Sequence, residues 1–149
     1  MVSEVSARSV RRATLTDVEF LVALRNQLAV HFLNPRPATV EKTMELLADS
    51  QTWMLELDGR RAGTFALYKF DGHAMEFGRF MIAPEYQYRG LGKLALETAI
   101  AEAKELGTKR LHLLVKDNSS AAIHLYIRFG FSIKAWDGDG PVEMELELV

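Results

Sequence analysis

The chain has 149 residues, 48% apolar and 26% charged, with a formal net charge of −2. This reads as one ordinary globular domain over residues 1–149, and the near-neutral charge excludes a general nucleic-acid binder. There is no cysteine, which excludes disulfides, thiolate nucleophiles and cysteine-ligated zinc and makes the cytoplasm the expected location.

No stretch approaches the roughly 18 apolar residues of a membrane span, and "MVSEVSARSVRRATLTD" lacks the apolar core of a signal peptide. The alternation of "RSVRRA" predicts a first strand, and Thr14 or Thr16 caps a helix carrying Val18, Leu21, Val22, Leu24, Arg25 and Leu28. After a loop punctuated by Pro35 and Pro37, "TVEKTMELLAD" is a second helix. "TWMLELD" and "RAGTFALYKF" flank Asp58-Gly59 as a hairpin, and Asp71-Gly72 leads to a third strand, "HAMEFGRFMI". Its alternation puts Glu76, Gly78, Phe80 and Ile82 on one face and Met75, Phe77, Arg79 and Met81 on the other.

From Gly90 to Leu106 the period becomes helical, with Leu96, Ala99, Ile100, Ala103 and Leu106 on one face and Gly107 as the stop. "KRLHLLV" suits a buried central strand. "DNSSAAIHLYIRFG" is a helix capped by Asn118 or Ser119, and "FSIKAW" and "PVEMELELV" close the chain as two strands. The order β-α-α-β-β-β-α-β-α-β-β defines an α+β fold, about seven strands of mostly antiparallel sheet flanked by about four helices. In the last strand Val142, Met144, Leu146 and Leu148 alternate with glutamates, which offers an edge for pairing in a homodimer.

The segment "PEYQYRGLGKLAL" carries the clearest chemistry. Its glycines let backbone approach a ligand, and the loop enters a helix whose free N–H groups hold the positive end of the dipole. Arg89 and Lys93 add charge at this mouth, which suits a pyrophosphate. The plainest alternative is a solvated turn with a chance pair of glycines. A Walker loop fails because Gln87 and Leu94 stand where glycine and Ser or Thr are needed. "GLGKLA" does fit a dinucleotide fingerprint, yet it follows three hairpin strands and not the first βα turn of a parallel domain.

Gln87, Gly90 and Gly92 in the order Q/R-x-x-G-x-G/A resemble the acyl-coenzyme A pyrophosphate loop of the GNAT N-acetyltransferase superfamily. "NSSAAIHLYIRFGF" resembles the family's second signature through Asn118, Ala121, Tyr126, Gly130 and Phe131, one residue looser between Ala121 and Tyr126 unless Ala122 is the match. The element order fits the family over nearly the whole chain. The resemblance implies an acetyl-CoA-dependent enzyme whose main chain at Gln87, Tyr88, Arg89, Gly90, Leu91 and Gly92 holds the pyrophosphate, with Arg89 and Lys93 screening its charge. It also implies that the backbone of Phe80, Met81 and Ile82 pairs with the pantetheine arm and that Asn118 touches it.

By the same resemblance Tyr126 protonates the departing thiolate, whereas residue chemistry alone equally allows a core tyrosine. The resemblance also implies Glu76 as the candidate base for the attacking ammonium; the alternatives are a solvated strand carboxylate or a partner to Arg79. The four histidines lack metal-ligand spacing; His112 and His124 read as structural, while His31 and His73 remain lesser candidates for the base. In this family the first two helices and the last hairpin choose the acceptor. That implies substrate contacts from Arg25, Asn26, Gln27, His31 and Asn34, or attraction of a cationic amine by Asp137 and Asp139. Three functions stay open: acetylation of a small-molecule amine such as an amino acid, amino sugar, polyamine or aminoglycoside; acetylation of a protein or peptide amine; or acyl-CoA sensing without turnover.

Overall fold

The computed structural model describes residues 7–33 and 36–148, so Asn34, Pro35 and Val149 lie outside the described residues. The elements are β1 (Arg8–Arg12), α1 (Val18–Gln27), α2 (Val40–Asp49), β2 (Gln51–Leu57), β3 (Arg60–Asp71) and β4 (Ala74–Ile82), then α3 (Leu91–Glu105), β5 (Arg110–Lys116), α4 (Ser120–Arg128), β6 (Ser132–Ala135) and β7 (Pro141–Glu147). This is the expected order, with 3-10 turns added at Leu15–Asp17, Ala29–His31 and Pro84–Tyr86. Asp58 and Gly59 both have positive φ, 52° and 78°, the conformation that lets a two-residue turn match the twist of its strands.

The seven strands form one sheet in the order β1-β2-β3-β4-β5-β7-β6. Every neighbouring pair is antiparallel except β4 with β5. That parallel pair is short, running only from Ala74 opposite Arg110 to Glu76 opposite His112. Beyond Glu76 the two strands part, and the β5-facing backbone of β4 has no strand to bond.

The expected pairing edge of the final strand is corrected by this order. β7 lies inside the sheet, bonded to β5 on one side and β6 on the other, and the edges are β1 and β6. The alternation of the strand reflects burial of Val142 and Met144 in the core, while Glu143 and Glu145 face the other side of the sheet.

The main core fills the space between the sheet and α3 and α4. Phe65 stacks between Trp53 and Phe77, with ring centroids 6.0 and 5.5 Å away. Ala95, Ala99 and Ala103 are fully buried along one side of α3, so small side chains at helical spacing bring this helix close to the strands. A second, smaller core on the opposite face joins Leu24 and Leu28 of α1 to Met81 and Ala83. At the start of α1, the fully buried Asp17 accepts from Arg11 at 2.8 and 2.9 Å, from Arg61 at 2.8 Å and from the Thr14 amide at 2.8 Å. It thereby ties β1, the helix entry and β3 together.

Candidate active site

β4 leads directly into the glycine loop. After the 3-10 turn Pro84–Tyr86, the Gln87 side-chain amide donates to the Ile82 carbonyl at 3.3 Å. Tyr88 and Gly90 then take positive φ, 62° and 81°, and α3 begins at Leu91. The first helical bond at this end runs from the Leu94 amide to the Gly90 carbonyl. The amides of residues 88–93 make no backbone hydrogen bond among the described residues. Alternating hand in the loop and a helix N-terminus thus gather consecutive N–H groups into one anion-binding concavity. Arg89 and Lys93 are exposed beside it.

The two glycines do different work. A Cβ at Gly90 would overlap the guanidinium of Arg8, whose Nη1 donates to the Arg89 carbonyl at 3.4 Å. A Cβ at Gly92 would stand 2.9 Å from Leu125 and 3.3 Å from Phe80, so this glycine seats α3 against α4 and β4. Arg8 is a third cation at the loop. Sequence reasoning missed it because nothing in "RSVRRA" announces that β1 passes beside the start of α3.

The alternation expected along β4 breaks at Arg79. Gly78 pairs with Ala66 and Met81 with Thr64, so two residues of β4 stand against one of β3, and Arg79 has φ 52° in the resulting bulge. Phe80 therefore joins Phe77 on the helix-covered face, their centroids 5.7 Å apart, and Ile82 also packs into that core. Glu76 and Met81 point to the opposite side. The expectation that Phe80 and Ile82 share a face with Glu76 is thus corrected, because strict period-2 reading cannot see an inserted residue. The bulge also re-aims the backbone of Phe80, Met81 and Ile82 where β4 parts from β5.

Tyr126 lies on α4 against Phe77 and Phe131, with centroids 6.2 and 5.8 Å away. Burial pushes its phenol well above the ordinary tyrosine value, so it stays protonated at neutral pH. Glu76 faces the other side of the sheet. Its Oε1 is 3.2 Å from Nδ1 of His112, and Tyr68 stands opposite it across β3 and β4. Burial pushes the Tyr68 hydroxyl up to about 12, with Arg79 pulling it the other way. His112, read from sequence as structural, is thus the direct partner of the candidate base. The partner expected for Glu76, Arg79, makes no ion pair with it among the described residues.

The acceptor-side residues separate. Arg25 lies over the Phe32 ring at 4.2 Å, and burial, with the nearby charge of Arg79, lowers its guanidinium from the ordinary value. Asn26 clasps the backbone of Ala38, accepting its N–H at 2.7 Å, and so fastens α1 to the approach of α2. His31 is exposed in a turn whose Val30 carbonyl accepts from Lys116 Nζ at 3.3 Å. The connection after α1 therefore meets the end of β5. His73 sits at the closed end of the β4–β5 pair, away from the opening. Asn118 is exposed in the turn between β5 and α4, and Ser119 takes the cap position without a side-chain bond. Asp137 and Asp139 are exposed in the last hairpin.

Among the described residues no cluster of His, Asp or Glu is placed to hold a metal, and no helix is long and apolar enough to cross a membrane. The sheet has one parallel pair, and the glycine loop leaves an antiparallel hairpin strand, so the dinucleotide-fold rival has no support in the topology. An amide-lined loop at the end of a bulged strand, beside a split between parallel strands, is the arrangement that the resemblance assigns to acyl-coenzyme A. The acetyltransferase (GNAT) family model matches residues 19–131, and the chain belongs to that family.

The chain is 27% identical over 132 residues to a mycothiol acetyltransferase of Propionibacterium freudenreichii, covering 81% of this chain and 42% of that protein. It is 29% identical over 128 residues to an amino-acid acetyltransferase of Yersinia pseudotuberculosis, covering 85% of this chain and 27% of that protein. The chain thus spans less than half the length of these curated relatives. A phosphinothricin acetyltransferase of the GNAT superfamily from Sinorhizobium meliloti, solved in complex with acetyl-CoA, superposes with a TM-score of 0.83 at 15% identity, covering 95% of this chain and 88% of that one.

Proposed function

We propose that this chain is a single N-acetyltransferase domain that moves the acetyl group of acetyl-CoA directly onto a primary amine of a small molecule, and that it acts in the cytoplasm. The observation that carries the reading is the continuous path from the unbonded amides of residues 88–93, along the parted backbone of β4, to Glu76 at the fork. The loop amides, with Arg8, Arg89 and Lys93, would hold the pyrophosphate, and Phe80, Met81 and Ile82 would align the arm. Acetyl-CoA supplies the activated acyl group when bound. Holding that group beside an amine replaces a bimolecular encounter with a positioned one. Glu76 takes the proton of the attacking ammonium, and Tyr126 gives one to the leaving thiolate. Small-molecule acceptors are favoured over protein amines by the names of the two curated relatives. Arg25 and His31 are the side chains proposed to meet the acceptor, while Asn26 would act by holding their segment in place.

Calorimetric titration with acetyl-CoA, coenzyme A and NAD tests the cofactor, followed by a panel of amines with thiol detection. The first two should bind, and Gly90→Val should weaken them on the order of 100-fold, about 2.7 kcal/mol. The valine adds about 1–2 kcal/mol of left-handed backbone strain and pushes the Arg8 guanidinium away from the loop. Binding of NAD alone would sink the reading. Binding of acetyl-CoA with no amine consumed would favour a sensor.

Tyr126→Phe keeps the ring contacts with Phe77 and Phe131 and removes only the hydroxyl. It should lower kcat by about 10- to 100-fold, less than many acid-base losses because a thiolate leaves comparatively easily. Since burial holds the phenol protonated above its ordinary value, the variant's pH profile should be lower but unchanged in shape through neutral pH. A wild-type alkaline limb below pH 9 that vanishes in Tyr126→Phe would contradict this.

A further inference from the structure

We propose that His112 and Glu143 complete a proton relay with Glu76, carrying the acceptor ammonium's proton through the sheet surface to water; the inference rests on the acetyltransferase reading above. His112 is 2% exposed on β5, with its ring stacked on Phe70 at 4.0 Å and 8°. Nδ1 is 3.2 Å from Glu76 Oε1, and Nε2 is 3.3 Å from Glu143 Oε2. The second contact is close but out of line, and it leaves Nε2 a buried nitrogen without a hydrogen bond.

A neutral imidazole has one N–H and one lone pair. Between two carboxylates, either proton position therefore leaves one side unsatisfied. Such an arrangement is a poor packing solution, since an unmade buried bond costs about 1–3 kcal/mol, but it suits a ring that passes protons. The neighbouring charges sharpen the point. Glu145, directly opposite His112 in the sheet, is held by Lys134 at 3.0 Å and approached by Arg110 at 3.9 Å, and Asp71 on β3 is held by Arg110 at 3.0 Å. Tyr68 faces Glu76 from β3 as a protonated phenol, and Arg79 lies in the bulge of β4 without an ion pair to it. Glu76 and Glu143 are the two carboxylates reaching the ring, and among the described residues neither has a lysine or arginine partner.

Direction follows from occupancy. Glu76 and Glu143 are similarly exposed, 31% and 33%. Glu76, however, stands at the fork that amine and thioester would fill, which would close its own route to water, while Glu143 lies on β7 beyond the ring. In the step, the ammonium N–H bond breaks and an O–H bond forms on Glu76. With the ring starting protonated on Nε2 and bare at Nδ1, the Glu76 proton passes to Nδ1 as the Nε2 proton leaves for Glu143 and then water. The ring ends neutral with its proton on Nδ1, and it resets by taking a proton at Nε2 and releasing the one at Nδ1 once the site reopens. His112 and Glu143 are thus positioning and relay groups, with Glu76 alone touching the substrate.

Glu143→Gln, on a partly exposed side chain, and His112→Asn should each lower kcat roughly tenfold, less than loss of the base itself, with the KM for acetyl-CoA unchanged. The acid limb of kcat should move to lower pH in Glu143→Gln because a carboxylate that favours the charged ring is gone. If amines are acetylated but both variants keep the wild-type rate and pH profile, the relay is wrong and the function stands. If the wild-type protein binds acetyl-CoA and acetylates no amine, the function fails and the relay's role in transfer falls with it. Should His112→Asn not fold, Glu143→Gln carries the test alone.

Discussion

Glu76→Gln is expected to cut kcat by about 10²–10⁴-fold, the range for loss of a positioned general base, while acetyl-CoA titrates as in the wild type. Glutamine keeps the length and one carbonyl oxygen of the side chain but cannot accept a proton from an ammonium. The pyrophosphate loop begins beyond the far end of β4 from Glu76, so cofactor affinity has no reason to change. The substitution also removes the charge opposite Nδ1 of His112. A glutamine amide can hydrogen-bond that nitrogen in either tautomer, through its oxygen or its NH2, which is why glutamine is preferable to alanine for separating chemistry from packing. A pH–rate profile in saturating acetyl-CoA checks the result. Wild-type turnover in Glu76→Gln would move the base to water or to another group. A loss confined to the KM of the amine would make Glu76 a binding residue.

The glycine loop was legible because its chemistry is local: the order of Gln87, Gly90 and Gly92, followed at once by helical periodicity, fixes free amides and charge within a few residues. The elements were legible for the same reason, since alternation in "TWMLELD" and the period of α3 are set by which neighbours must be buried. What escaped was relational. The bulge at Arg79 adds one residue to a strand whose alternation looked unbroken, and only the register against Ala66 and Thr64 reveals it. His112 looked like one polar residue in a buried strand, because its neighbours Phe70, Glu76 and Glu143 come from three other strands. The final strand looked like an edge because its place between β5 and β6 depends on a crossover that periodicity does not encode.

Asp17→Asn should destabilise the fold by about 3 kcal/mol, at the low end of the cost of breaking a buried ion pair. The carboxylate is fully buried and accepts from Arg11, Arg61 and the Thr14 amide, so an amide in its place turns one acceptor oxygen into a donor facing donors. The low end applies because both guanidiniums are more than a third exposed and can turn to water. Glu56→Gln is the contrast, since Glu56 keeps partial access to water, its bond to Arg11 at 3.1 Å is one of several that Arg11 makes, and its loss should cost about 1 kcal/mol. Burial alone would raise the Asp17 carboxyl, but the hydrogen bonds from Arg11, Thr14 and Arg61 outweigh it and hold it well below the usual carboxylate range. A group depressed in the folded state contributes its stability above its unfolded value, about 4, and loses it as pH falls through the folded one. Urea unfolding from pH 7 down to pH 2 should therefore show a wild-type decline below pH 4 that is shallower in Asp17→Asn, with the two proteins converging at the acid end. Parallel curves, with the difference unchanged at pH 2, would show that the asparagine costs packing and not charge.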